Sequence, residues 1–396
     1  MRQGIFSTFD RLPWLAIAIG AALVARFGAF GYLSLWPIRF DPYKSWSLRA
    51  RLLSPFDVVG IDIEQYIYDA ERLSDGSWLA EILDYSWGQS ILPPLTPALL
   101  WLFDYGPGHA LPLSLFWLML SCLWAIGWLL VLAKRGMSGP WLAVVGLLPT
   151  PVFYQFAIGT DLPFAVLFLA FYASYLRDDA LRVPWIWALA LMLLTATRSA
   201  AVSVLAFVIL DTAHATWQGR RPTGTTLFVV GALAFLGMIV HLPWLFGFMV
   251  PSMPGGAEVE PYTFFGVTEA AYRAGLFAGT LPAAIDLPLS WAALIVAKTL
   301  YFCGFRLSFE TLSIVSVASR LPVAVAITIP GLIWCFARGE WRDRLMVLLF
   351  LAPTLGGLAQ ERYNLPILPL LVLYAAGFWR AAWRFVADRK RTSASA

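Results

Sequence analysis

Apolar residues run through this chain in long blocks of bilayer-spanning length, and the polar residues collect between them. Crossing a hydrocarbon core takes about 20 predominantly apolar residues, fewer or more with tilt. The blocks predict about ten spans, near 13–36, 111–133, 140–158, 162–176, 183–197, 199–217, 224–246, 318–337, 344–360 and 364–384. Several are short, and the pairs flanking Asp161 and Arg198 also read as long interrupted helices. The first block is longer than a signal-peptide core and lacks a small-residue cleavage site, so it reads as a retained helix. Two long polar stretches remain, residues 37–110 and 247–317.

Within the first stretch the period changes. Ile63, Ile67 and Ala70 fall at i, i+4 and i+7, with Asp62, Gln65, Asp69 and Arg72 on other faces. That pattern predicts a short amphipathic helix at a membrane surface, ended near Gly76. A second surface helix is expected from Pro93-Pro94 to Phe103, before Gly106-Pro107-Gly108.

Composition confirms the class: 60% of residues are hydrophobic, 13% are charged, and the mean hydropathy is +0.71. A soluble domain carries about twice that charge. We therefore expect an all-α polytopic transmembrane bundle forming one domain over 1–396, with juxtamembrane helices on its outer face. No repeat of fixed period is visible, and residues 391–396 read as a disordered tail. Cys122, Cys303 and Cys335 lack metal-ligand spacing and read as small core residues.

Charge gives the orientation. One set of loops and tails holds Arg2, Arg11, Lys134, Arg135, Arg177, Arg182, Arg220, Arg221, Arg338, Arg342, Arg344, Arg380, Arg384, Arg389, Lys390 and Arg391, which is 16 of the 28 basic residues. The stretch 37–110 holds ten acids against Arg39, Lys44, Arg49, Arg51 and Arg72. By the positive-inside rule both termini are expected in the cytoplasm, including the basic tail 385–396, and both long stretches outside. The net charge of +4 then reads as topology, with no nucleic-acid partner expected.

Asp62 stands before a helical pattern with Gln65 three residues on, so spacing alone also fits an N-cap with its capping-box partner. Gly60-Ile-Asp62-Ile-Glu64-Gln-Tyr66 followed by Ala70, Leu73 and Gly76, and then by Pro93-Pro94-Leu95-Thr96-Pro97, resembles the first outer loop of GT-C glycosyltransferases. Three later segments are similar to that family in the same order: Ile158-Gly-Thr-Asp161-Leu-Pro163, Leu194-Thr-Ala-Thr-Arg198, and Glu361-Arg362-Tyr363-Asn-Leu-Pro366-Ile-Leu-Pro369. The likeness extends to the protein O-mannosyltransferase, aminoarabinose transferase and glycolipid mannosyltransferase branches, in a minimal form without a C-terminal soluble domain.

The resemblance implies an inverting transfer of a sugar from a polyprenyl-phosphate donor to an acceptor hydroxyl at the outer face of a bacterial inner or plasma membrane. The partners expected are that donor, membrane lipids, and a lipid, glycan or protein acceptor, with a lipid or glycolipid preferred. Asp62 is the expected general base. Glu64, Tyr66, Asp161, Arg198, Lys298, Arg306, Arg362 and Tyr363 are the expected substrate contacts, the cations facing the departing phosphate. Asp161 also reads as an N-cap before Leu162-Pro163. Asp62, Glu64 and Asp161 supply hard oxygen ligands, so a divalent cation, Mg or Mn, is a possible cofactor. Arg26, inside the first span, is expected to pair between helices. The competing expectation is a polytopic transporter or flippase of lipid-linked sugars, which shares the apolar bundle and rare intramembrane charges.

Overall fold

The computed structural model describes residues 11–35, 63–74, 93, 95–103, 110–155, 159–176, 184–219, 222–249, 263–305, 320–356 and 361–394. The chain divides into two compact units, Met1–Met253 and Pro254–Ala396. Both are predominantly helical.

The first unit contains α1 (Arg11–Leu35), α2 (Ile63–Ser74), α3 (Leu95–Leu102), α4 (Ala110–Lys134), α5 (Pro140–Gly146), α6 (Pro149–Tyr154), α7 (Asp161–Tyr175), α8 (Trp185–Thr195), α9 (Ala201–Trp217) and α10 (Gly224–Met249). Helix α1 packs on α4 and α5, α7 on α4 and α8, and the short pair α2 and α3 on each other. Small residues set the closest approach: a Cβ at Gly146 would meet the Ala18 carbonyl at 2.8 Å, so α5 and α1 touch backbone to backbone.

Arg26 lies wholly buried in this unit. Pro149 and Pro151 interrupt the helix that α5 and α6 would otherwise form, since neither has an N–H to donate. The Arg26 guanidinium fills part of the gap, donating from Nη1 to the Gly146 carbonyl at 2.7 Å and to the Ala22 carbonyl at 3.1 Å. Its Nε donates to the Ser121 carbonyl and hydroxyl at 3.0 and 2.9 Å. Ser121 in turn donates to the Pro151 carbonyl at 3.2 Å, and Gln155 Nε2 donates to the Arg26 carbonyl at 3.0 Å. The expected pairing between helices is therefore to neutral oxygens at a helix break.

The second unit contains the two-residue antiparallel strands β1 (Thr263–Phe264) and β2 (Val267–Thr268), then α11 (Glu269–Ala274) and α12 (Ala283–Phe302). A π-helical turn, Ala324–Thr328, leads into α13 (Ile329–Arg338), followed by α14 (Trp341–Gly356), a 3₁₀ turn at Glu361–Asn364, and α15 (Leu368–Ala394). Pro330 cannot donate to the Ala326 carbonyl four residues back. The indole N–H of Trp379 on α15 donates to it instead at 2.7 Å. A Cβ at Gly331 would lie 2.2 Å from the Leu371 carbonyl, which is why α13 and α15 can pack so closely.

Among the described residues, five helical segments are long and apolar enough to cross a membrane: 13–31, 112–134, 283–302, 320–338 and 368–389. Four coincide with predicted spans. The helix at 283–302 does not; its sequence mixes Asp286, Pro288, Ser290 and Lys298 into an apolar run, and it falls within the stretch 247–317 that the polar pattern places outside. The predicted spans at 140–158, 162–176, 183–197, 199–217 and 224–246 fall on shorter apolar stretches, at 140–152, 161–175, 185–195, 201–217 and 224–237.

Candidate functional site

Helix α2 follows the acidic motif directly. It starts at Ile63 and ends at Ser74, as the pattern predicts. Asp62 lies outside the described residues, and so does the side chain of Glu64. Tyr66, Asp69 and Ala70 are buried and Glu71 is exposed, while the side chains of Ile63 and Ile67 lie outside the described residues. Asp69, expected on the polar face, has no exposed surface. In sequence, Tyr66 and Asp69 stand four and seven positions after Asp62, the spacing of one helical face. Ile63 and Ile67, the more apolar residues, mask that spacing in the sequence.

Helix α3 begins at Leu95 after Pro93-Pro94, and the first N–H groups of a helix have no partner inside it. Leu95 donates its N–H to the carbonyl of Ala196 at 2.9 Å. Ala196 is the C-cap of α8 and offers a carbonyl left over at the helix end. Thus α3, on which α2 packs, is bonded at its start to the short turn between α8 and α9. Thr195 and Thr197 steady that turn by donating back to Met192 and Leu193 at 2.6 and 2.7 Å.

Arg198 belongs to the same turn, and its Nη1 is hydrogen-bonded and ion-paired to Asp161 Oδ1. Their side chains are 17% and 12% exposed, so water screens the pair only partly. Asp161 is not the N-cap. Thr160 takes that position, and Asp161 is the first helical residue of α7, where a carboxylate also meets the positive end of the helix dipole. The two residues, expected as separate substrate contacts, are brought together here. A cation at Asp161 would have to compete with a guanidinium already in place. Among the described residues, no three His, Cys, Asp or Glu side chains converge as a metal site would require.

In the second unit, Lys298 is fully buried on α12 and donates from Nζ to Glu269 Oε1 at 2.9 Å. Glu269 also accepts from Arg273 Nε at 3.1 Å and Nη2 at 2.5 Å, so one carboxylate serves two cations. The Lys298 ammonium lies 5.7 Å from the centre of the Phe264 ring, and the Arg273 guanidinium 5.3 Å from that of Trp291. Tyr272 donates to the Phe264 carbonyl at 3.1 Å. Burial, and next the neighbouring Tyr301, push its hydroxyl above the usual phenol range, which keeps it a neutral donor. Sequence reasoning missed Glu269 because it lies 29 positions from Lys298 in a stretch without strong periodicity.

Arg306 lies outside the described residues. The backbone of Arg362 is in the 3₁₀ turn, its side chain is outside the description, and Tyr363 is half-buried. Asn364 ties that turn to α12, donating from Nδ2 to the Phe302 carbonyl at 2.7 Å, one helical turn beyond Lys298. No family model, no curated protein and no solved structure matches the chain.

Proposed function

We propose that this chain is an integral-membrane glycosyltransferase of GT-C type that moves a sugar from a polyprenyl-phosphate donor to a hydroxyl of a lipid or glycolipid acceptor. The bundle has about ten spans, counting the shorter apolar stretches as crossings beside the five long helices. It sits in a bacterial inner or plasma membrane with both termini in the cytoplasm. The observation that supports this reading is the meeting of three motif segments in the first unit. The helix after Asp62 packs on α3, α3 is bonded through Leu95 to Ala196, and Arg198 beside it pairs with Asp161.

In the reaction Asp62 takes the proton of the acceptor hydroxyl, the freed oxygen attacks the anomeric carbon, and the bond to phosphate breaks with inversion. The carrier phosphate leaves as an anion whose charge needs fixed cations. Lys298, Arg306 and Arg362 stay assigned to that task on the sequence pattern. Tyr66 and Asp69 line the buried side of the helix that follows the base.

Full-length protein in membranes, supplied with labelled sugar on a polyprenyl phosphate, tests the reading directly. Wild-type protein is expected to move label to an acceptor, and Asp62→Asn to lower the rate by about 10²–10⁴-fold, the usual worth of a general base. Undiminished transfer by Asp62→Asn removes it as base. Carriage of the intact labelled donor across the bilayer, without transfer, would replace the enzyme by the transporter.

A further inference from the structure

Helix α12 has the length and apolarity of a membrane span, yet its surroundings describe something else. Residues 263–282 run along one side of it in the opposite direction. Phe265 N–H meets Tyr301 Oη at 3.1 Å, Glu269 meets Lys298 at 2.9 Å, Arg273 lies over Trp291 at 5.3 Å, Leu276 N–H meets Ser290 Oγ at 2.8 Å, and Phe277 N–H meets Asp286 Oδ1 at 3.0 Å. As the first number rises the second falls, from one end of α12 to the other. This cover buries Asp286, Ser290, Leu294, Ala297, Lys298 and Tyr301.

The uncovered side of α12 is apolar: Ile285, Leu287, Leu289, Trp291, Ile295 and Val296 are 40–58% exposed. Were α12 to stand upright in the bilayer, its cover would stand with it. Only Glu269–Ala274 of that cover is helical. The turn at Gly266 and residues 277–282 are exposed, and Gly275 and Gly279 hold left-handed backbone at φ 107° and 88°. Exposed irregular backbone does not occur at hydrocarbon depth. Arg273, with its side chain 49% exposed, would sit near mid-height, where a lipid-facing cation is among the costliest groups.

We infer that α12 lies in the plane of the membrane surface, its Ile285–Val296 face set into the headgroup and acyl boundary and its 263–282 cover turned to water. Trp291 and Arg273 then stand at the interface, where an indole is at home and a guanidinium meets lipid phosphate. Neither α12 nor its cover crosses, so Arg220, Arg221, Arg338, Arg342 and Arg344 all stay on one side, as their charge favours. The inference does not depend on sugar transfer.

Immersion depth decides it. Full-length protein with Cys122, Cys303 and Cys335 replaced by Ala carries one spin label at Ile285→Cys, Leu289→Cys or Val296→Cys, on one face of α12, in vesicles of phosphatidylethanolamine and phosphatidylglycerol. Relaxation by oxygen against a water-soluble nickel chelate reads the depth of each. An in-plane helix gives three depths within about 5 Å of one another, inside the interfacial layer. An upright helix gives a progression of roughly 16 Å over the same eleven residues, at about 1.5 Å per residue, and overturns the inference. A second readout keeps the native cysteines, with wild type as the blank. Ala270→Cys and Thr280→Cys are expected to react with a membrane-impermeant maleimide from one and the same side; reaction from opposite sides, or of neither, also overturns it.

Discussion

Among the described residues two cations, Arg26 and Lys298, have no exposed surface, and each unit solves the problem of holding one differently. Arg26 is held by neutral oxygens, the carbonyls of Ala22, Ser121 and Gly146 and the Ser121 hydroxyl. Lys298 is held by a carboxylate that also serves an exposed arginine. A guanidinium has five donors in a planar fork and spreads its charge, so carbonyl dipoles at a helix break can hold it through Nε and Nη1 even though Nη2 finds no partner. An ammonium concentrates its charge at one point, and burial then calls for a formal counter-ion. The first arrangement makes the cation part of the backbone architecture. The second ties it to one acid, and leaves it open to exchange if another anion comes.

Removing Arg26 tests the first arrangement with the largest expected effect. Arg26→Leu leaves the Gly146 carbonyl and the Ser121 hydroxyl without their donor, at about 1–3 kcal/mol each, and the purified protein should melt far below wild type. Arg26→Lys should recover little, because an ammonium cannot reach Ser121 and Gly146 in fork geometry. A wild-type melting temperature for Arg26→Leu would break the comparison at its first member.

Glu269→Gln should cost about 3–5 kcal/mol, since it leaves Lys298 buried and unneutralised. Lys298→Met should cost less, because Arg273 still neutralises Glu269. The double variant should be more stable than Glu269→Gln alone, and a thermal double-mutant cycle would measure that coupling. Equal losses in the two single variants would show that Glu269 does not serve both cations.

A smaller effect is expected at the partly exposed pair of the first unit. Asp161→Asn and Arg198→Gln should each cost about 1–3 kcal/mol, the range of a charge-assisted hydrogen bond. Their double variant should cost little more than either, since both changes remove one bond. In the transfer assay all three should lose rate, because the pair anchors the turn that receives Leu95. Stability that falls additively would show the two side chains to be acting apart.

Least of all is expected from Arg273→Ala. Its bond to Glu269 is an i, i+4 pair on a half-exposed arginine, worth about 0.3–0.5 kcal/mol. A loss as large as that of Glu269→Gln would place Arg273 inside the buried network.

Much of the helical framework was legible in the chain. The limits of α2 and α3 followed from period and from Pro93-Pro94, and most apolar blocks became helices where they were expected. The candidate site was legible only as a set of segments. The resemblance names Asp161 and Arg198 as separate substrate contacts, but nothing in their spacing of 37 positions says that they touch. Asp69 was misplaced because the burial of α2 is set by what packs on it, and a helix of 12 residues offers two plausible stripes. Glu269 was missed because a counter-ion is chosen by distance in space.

What the sequence alone determined was therefore the local and the collective. Bilayer-length apolar blocks fix the class, because backbone hydrogen bonding within each block is the cheap solution where water is absent. Proline and glycine fix where helices break. The tertiary structure decided which leftovers met: the Leu95 amide with the Ala196 carbonyl, Trp379 with the carbonyl that Pro330 leaves open, Arg26 with the break between α5 and α6, and Lys298 with Glu269. Each joins groups that local structure leaves unsatisfied. Which of them pair depends on packing at atomic distance, and so was settled only when the chain had folded.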